Sequence, residues 1–393
     1  MNKQYKVLFD SMTLNRGQSL VNRFAMSPMV AAGSTYAGEV QDDDVQYFLR
    51  RANTAGLLIT GAANVGPYGN AFGYGLSANA DSQIPGLKRL AEAMKSKGNK
   101  AILQIFHPGR QAKYSYQDEG VAYGPSSKQF EFLDYPVKGL TTEEIYEYVD
   151  FFAQATKRAI EAGFDGVEVH GANHYLIQQF FSSLSNERPD EWGGDLTGRS
   201  AFAIAIVKAV QEQVKANGRS DFIIGYRISP EEIHGETVGY DLDESLYLID
   251  QIVSLGVDYI HTSHFGPSAY KAVARRGEHQ GKIVNEVIRQ LIDGRTLLMV
   301  AGDITSADKA LDALNYADLL AMGTLAIVEP DFVQKLQSGQ EDLVNLNFEG
   351  RVEDLALPKR FYMMANALRS NQSILSESVD YLVDTLKNNH TDE

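Results

Sequence analysis

A closed (β/α)8 barrel is the fold class this chain predicts. Eight short apolar stretches recur along it, each followed by a stretch with helical spacing, and strands that alternate with helices form a parallel sheet. Eight such units over roughly 320 residues match the length of a closed barrel with insertions. The same alternation allows an open doubly wound sheet, but no Gly-x-Gly-x-x-Gly turn follows the first stretch, as that fold would ask.

The elements follow in order. Val7 to Asn22 reads as two extended pieces around the turn signal Asn15-Arg16-Gly17, a hairpin ahead of the barrel. Arg23 to Met29 is a strand stopped by Pro28. Asp42 to Ala55 has helical spacing, and Gly56 to Gly61 is a buried strand. Pro85 to Lys97 is a helix with Leu87, Leu90, Ala91 and Met94 on one face, and Lys100 to Ile105 is the third strand. Gln111 to Leu140 has no clear period and reads as a long loop or excursion. Thr141 and Glu144 have the spacing of a capping box, so a helix runs to about Ala162. The fourth strand spans Gly166 to His170. A polar loop from Pro189 to Gly198 holds the only Trp, Trp192. The last four units place helices at Arg199–Lys215, Leu242–Leu255, Ile283–Ile292 and Ser306–Asn315. Their strands lie at Asp221–Ile228, Val257–Thr262, Thr296–Ala301 and Ala317–Met322, and Asp331 to Leu336 opens a final helix. Residues 1–340 form the expected barrel, with the excursion near 111–140. Residues 341–393 form a helical extension ending in a polar tail, Asn388 to Glu393.

Composition narrows the function. The 393 residues carry a formal net charge of −15, which argues against nucleic acid or an anionic membrane as partner. With no cysteine, disulfides, zinc–thiolate sites, iron–sulfur clusters and thiol nucleophiles are excluded. The N-terminus lacks a signal-peptide core and no apolar run has membrane-spanning length, so a cytoplasmic protein is expected.

In such barrels chemistry sits at the C-terminal ends of the strands. Those ends supply Pro28-Met29, Gly61-Ala62, Gln104 and His107, His170 and Asn173, Arg227, His261 and Ser263, Gly302, and Gly323-Thr324. His170 and Asn173 can both donate a hydrogen bond to one oxygen, and Tyr175 can offer a proton. Glycines closing the last two strands let backbone N–H groups approach a ligand where barrels commonly hold phosphate.

Several pieces then line up in order: Arg23 through Ser27-Pro28-Met29, Gln104 with His107-Pro108-Gly109-Arg110, and His170-Gly171-Ala172-Asn173 with Tyr175-Leu176. Phe181-Ser182-Ser183-Leu184-Ser185-Asn186, Arg188 and Glu191-Trp192-Gly193-Gly194 follow. Over roughly Val7 to Gln337 the chain resembles the Old Yellow Enzyme family of flavin oxidoreductases. The resemblance implies non-covalent FMN, NADH or NADPH as reductant, and reduction of activated alkenes by hydride from flavin N5 with protonation by Tyr175. It implies that Pro28, Met29 and Ala62 lie along the flavin ring, that Gln104 bonds its pyrimidine edge, and that Arg227 stands near its N1–C2 carbonyl side. His170 and Asn173 would hold the substrate oxygen, and Gly302, Gly323 and Thr324 would border the phosphate. A homo-oligomer is a further expectation from the family.

The sequence departs from the family at two points. Val30 follows the Pro-Met pair where relatives have Cys or Thr, and Thr324 follows Gly323 where many have an Arg that clamps phosphate. Lys271, Arg275 or Arg276 are the candidate substitutes for that cation. Two other readings stay open: a dehydrogenase of amine type on the same barrel, and a non-redox barrel lyase.

Overall fold

The computed structural model describes residues 2–370 and 373–388. Eight parallel strands close on themselves: β1 (Phe24–Met26), β2 (Leu57–Ile59), β3 (Lys100–Phe106), β4 (Gly166–Gly171), β5 (Ile223–Ile228), β6 (Tyr259–Thr262), β7 (Leu297–Ala301) and β8 (Leu319–Met322). Neighbours pair in sequence order, and closure comes from β8 on β1, with Ala321 opposite Ala25. A helix follows each strand: α1 (Asp42–Arg50), α2 (Ile84–Lys95), α3 (Thr142–Glu161), α4 (Leu196–Ala216), α5 (Leu242–Ser254), α6 (Val284–Ile292), α7 (Ala307–Ala313) and α8 (Phe332–Ser338). The predicted barrel is therefore the fold. Thr141 caps α3 through Glu144 N–H, while the Glu144 carboxylate accepts from Thr141 N–H at 2.8 Å, the capping box expected there.

One device recurs at the N-terminal ends of the strands. Asp165, Asp258 and Asp318 each precede a strand, and each accepts a hydrogen bond at 2.9 Å from a backbone N–H at the start of the preceding one: Ala101, Ile224 and Leu298. Those N–H groups lie where the ladder has not begun, and a short carboxylate satisfies them.

The hairpin closes this end. Its strands, Met12–Thr13 and Ser19–Leu20, are antiparallel, and Leu14 and Leu20 pack into the barrel interior against Ala25, Ile223, Tyr259 and Met299. Asn15 donates to the carbonyls of Val257 and Arg295, and Arg16 pairs with Asp258. The hairpin is shorter than the sequence suggests. Val7 to Phe9 belong to a 3-10 helix, Lys3–Phe9, capped by Asn2, which buries Tyr5 and Leu8 against the core.

Two other stretches differ from expectation. The excursion is more regular than a loop. It contains a helix, Lys113–Glu119, stopped by Gly120 in the left-handed region, and two short parallel strands, Tyr123–Gly124 and Lys138–Gly139. The polar loop at 189–198 ends early, because Asp195 caps Gly198 N–H and α4 starts at Leu196; Trp192 is buried rather than displayed. After α8 come short 3-10 turns and a helix, Ser376–Asn388, that bury Phe348, Leu355, Phe361, Leu368, Val379 and Leu382. The expected polar tail beyond Asn388 lies outside the described residues.

Arg51 ties this segment to the barrel. It is fully buried beside the Tyr47 ring and donates to the carbonyls of Tyr47, Ala326, Ile327 and Leu355 at 2.9–3.0 Å. Truncation leaves four buried carbonyls without donors. Arg51→Ala is expected to cost about 3–5 kcal/mol, read from the urea midpoint; a loss below about 1 kcal/mol would show these bonds to be dispensable.

Candidate active site

Strand register brings the predicted residues to one mouth. His170, Arg227 and His261 are neighbours in a row across β4, β5 and β6, and Gln104 lies opposite Glu168 across β3 and β4. Beneath the mouth, Glu168 is completely buried. It accepts from Gln104 Nε2 at 2.7 Å and from His261 Nδ1 at 2.9 Å. Burial alone would raise the Glu168 carboxyl; His261, Arg227 and Gln104 outweigh it and hold it below the usual carboxylate range. Burial drives His261 the other way, below the usual histidine range, so the pair is a carboxylate bonded to a neutral imidazole.

That network fixes two groups at the C-terminal ends of β3 and β5. Gln104 spends its amide N–H on Glu168, which turns its carbonyl oxygen into a free acceptor. Arg227 is also buried, and burial lowers its pKa from the usual range; its Nη2 donates to Ser263 Oγ at 3.1 Å. Ser263 Oγ in turn donates to Asn173 Oδ1 at 2.9 Å, and Asn173 N–H donates to Ser229 Oγ at 3.0 Å. With its carbonyl oxygen engaged, Asn173 has its amide nitrogen left to donate outward.

His170 is similarly fixed. Ala172 N–H donates to its Nδ1 at 3.3 Å, so the neutral ring carries its proton on Nε2. Burial, reinforced by the positive field of Arg227, pushes its pKa well below the usual value. Tyr175 packs edge-on against Phe106, His170 and Phe72 at 5.0, 5.1 and 6.3 Å. Burial pushes its pKa up to about 12, partly offset by Arg227, and its hydroxyl has no hydrogen-bond partner among the described residues.

On the opposite side, Met29 bridges the ends of β1, β2 and β8. A Cβ on Gly61 would meet the Met29 carbonyl at 2.8 Å, and one on Gly323 would lie 3.5 Å from its sulfur. Pro28 and Ala62 are buried beside it. Next to Met29 a cavity of roughly 330 Å3 is lined by Ser27, Gly302, Asp303, Gly323 and Thr324.

The structure settles several features that the sequence leaves open. His107 spends both ring nitrogens inside the protein: Nδ1 accepts from Gly109 N–H and Nε2 faces the Pro67 carbonyl, so it orders its loop. None of Lys271, Arg275 and Arg276 lines the 330 Å3 cavity; they pair with Asp312, Glu231 and Glu236. The cation that stands behind it is Lys309, bonded to Asp303 and Thr305 at 2.9 and 3.1 Å. Its position in the first turn after the seventh strand was the available signal. Glu168 and Ser263 were missed as structural partners. A carboxylate in a strand covered on both faces has no water to turn to, and that alone marks Glu168 as paired.

These groups stand at one mouth of a parallel barrel, and sequence comparison puts the chain that carries them among the flavin oxidoreductases. The chain belongs to the NADH:flavin oxidoreductase / NADH oxidase family, of Old Yellow Enzyme type, whose sequence model matches residues 7–342. It is 42% identical over 364 residues to an uncharacterized oxidoreductase of Streptococcus pyogenes, covering 91% of each chain. It is 38% identical over 351 residues to a Bacillus subtilis protein described as a probable NADH-dependent flavin oxidoreductase, covering 89% of this chain and 93% of that one. Among solved structures it is similar to morphinone reductase in complex with tetrahydroNAD, with a TM-score of 0.73 and 28% identity over 86% of this chain and 92% of that one.

The cofactor is FMN, and the residues present fit it. The free Gln104 carbonyl matches an imide N–H, and Arg227 Nε is a buried donor with no partner among the described residues. Gly302 adopts φ +121°, and a Cβ there would meet Ala269 Cβ at 2.5 Å. Gly302→Ala is expected to lower FMN retention about tenfold through strain and overpacking beside that cavity. The ratio of flavin to protein absorbance measures it, and an unchanged ratio would separate Gly302 from cofactor binding.

The depressed His170 pKa sets a pH expectation. Because burial holds the folded value of His170 well below about 6.5, the ring keeps one neutral state, with its proton on Nε2, across the neutral range. The affinity for a carbonyl ligand is expected to be level from about pH 8 to pH 6. Titration of an enone ligand would reveal an acid limb near about 6.5 if His170 instead took up a proton at its ordinary value.

Proposed function

We propose that the protein is an NAD(P)H-dependent ene-reductase acting on alkenes conjugated to a carbonyl or comparable electron-withdrawing group. The observation that carries this reading is the pair of outward donors, His170 Nε2–H and Asn173 Nδ2–H, each fixed by a bond to its other heteroatom. Two donors suit one substrate oxygen and strengthen as negative charge develops on it, in the manner of an oxyanion hole. They disfavour a protonated amine, which is itself a donor, and this sets the amine-dehydrogenase reading behind. A lyase reading does not suit an oxidoreductase family.

When bound, FMN would supply the hydride chemistry that links a reduced nicotinamide to the substrate β-carbon. Pro28, Met29 and Ala62 would line its ring, Gln104 would meet its pyrimidine edge, and Gly302, Gly323 and Thr324 would border its phosphate. The Arg227 guanidinium would oppose negative charge at the ring's N1–C2 side. Tyr175 would protonate the α-carbon. A phenol raised to about 12 is a weak acid at neutral pH, which suits donation to a basic enolate and keeps the proton in place until one forms. Val30 brings no hydrogen bond to the ring, which supports a flavin potential set chiefly by Arg227.

Tyr175→Phe is expected to slow oxidation of the reduced enzyme by 2-cyclohexenone about 10²–10⁴-fold while leaving reduction by NADH or NADPH unchanged. Stopped-flow absorbance separates the two half-reactions. Equal rates in both would remove Tyr175 as proton donor, and no oxidation by the enone in the parent protein would remove the ene-reductase reading.

A further inference from the structure

One cluster of potential ligands lies beside the donor pair and takes no part in the chemistry above. After β5 the chain forms a small hairpin, strand Glu232–His234 against strand Thr237–Tyr240, with a register break between Glu232 and Ile233. Such breaks re-aim side chains and recur next to active sites. Glu232 and His234 stand two residues apart on it. His174 approaches from the other side, from the turn that follows β4. Asn173 and His174 are consecutive left-handed residues, φ +58° and +61°, a conformation that costs a non-glycine residue roughly 1–2 kcal/mol.

The three side chains converge. His174 Nδ1 and His234 Nε2 each lie 3.7 Å from Glu232 Oε1, and the imidazole centroids are 5.3 Å apart. One ligand atom from each residue falls within 4.8 Å of the other two. Ligands bound at about 2.0–2.1 Å around a tetrahedral ion stand about 3.4 Å from one another, so the carboxylate–imidazole spacings need to close by only a few tenths of an ångström. The Glu232 carboxylate is 3% exposed, and among the described residues the two histidines are its only ion-pair partners. Gln178 Nε2 holds Glu232 Oε2 at 3.1 Å, the kind of outer contact that orients a ligating carboxylate. The same Nε2 is 3.1 Å from His174 Nδ1, a contact that an ion would replace. Both histidines are partly exposed, which gives an ion a path in.

We propose that His174, Glu232 and His234 form a binding site for a divalent transition metal of the Zn2+ class. Two imidazoles and one carboxylate are the donor set such ions prefer, whereas Ca2+ and Mg2+ favour oxygen alone. Three protein ligands leave a coordination position open. A cavity of roughly 360 Å3 is lined by His174, Glu232 and His234 together with Asn173 and Ser263. The ion would therefore share a cavity with the amide that holds the substrate oxygen in the ene-reductase reading, but its binding does not rest on that reading.

Isothermal titration of the chelator-treated, FMN-loaded protein with ZnCl2 tests the site. The expected result is one ion per chain, with affinity falling about tenfold or more in His234→Ala and in Glu232→Gln. His234 lies exposed on a hairpin tip, so its variant is expected to keep the parent's circular dichroism and flavin content. X-ray absorption of the zinc-loaded protein should show imidazole scattering at about 2.0–2.1 Å. Absence of stoichiometric binding, or binding equal in the parent and His234→Ala, overturns the proposal. Either outcome is independent of whether the enzyme reduces alkenes.

Discussion

A single buried carboxylate organises the mouth of this barrel. Glu168 is fully buried, so its charge persists because Gln104 and His261 bond to it and Arg227 stands near. Each partner is constrained in return. Gln104 must present its carbonyl oxygen outward, His261 must keep its proton on Nδ1, and Arg227 is drawn into a buried position where one donor reaches Ser263. The Ser263 hydroxyl then fixes the Asn173 amide. The orientation of the Asn173 amide thus traces back, through Arg227 and Ser263, to one charge at the centre of β4.

Much of this was legible in the sequence, for a definite reason. Parallel strands covered on both faces read as short apolar runs, and the helices between them carry 3.6-residue spacing, so the alternation survives insertions. The strand ends are legible too, because polar residues directly after apolar runs have few structural explanations. His170, Asn173, Arg227 and Gln104 all reach one mouth on that basis.

What the sequence hid is long-range and polar. Lys309 is marked only by its place in the first helical turn after the seventh strand, and Lys271, Arg275 and Arg276 look better placed until the loop folds onto Glu231, Glu236 and Asp312. The excursion after β3 hid its helix because Lys113 to Glu119 is short and interleaved with tyrosines whose burial is decided by distant contacts. Trp192 sits among polar neighbours, yet its ring packs against Tyr146 and Phe202.

The hairpin that closes the barrel floor carries a consequence for biosynthesis. Asn15 is bonded to carbonyls 242 and 280 residues further along the chain. At about 5–20 residues per second on the ribosome, its second partner emerges roughly 14–56 seconds after it does. Leu14 and Leu20 have no barrel to enter during that interval, since the strands that surround them are still being made. The nascent chain must keep these two leucines shielded or tolerated while the ring is incomplete. The floor is made well before the strands it closes, and it is among the last pieces that can be seated.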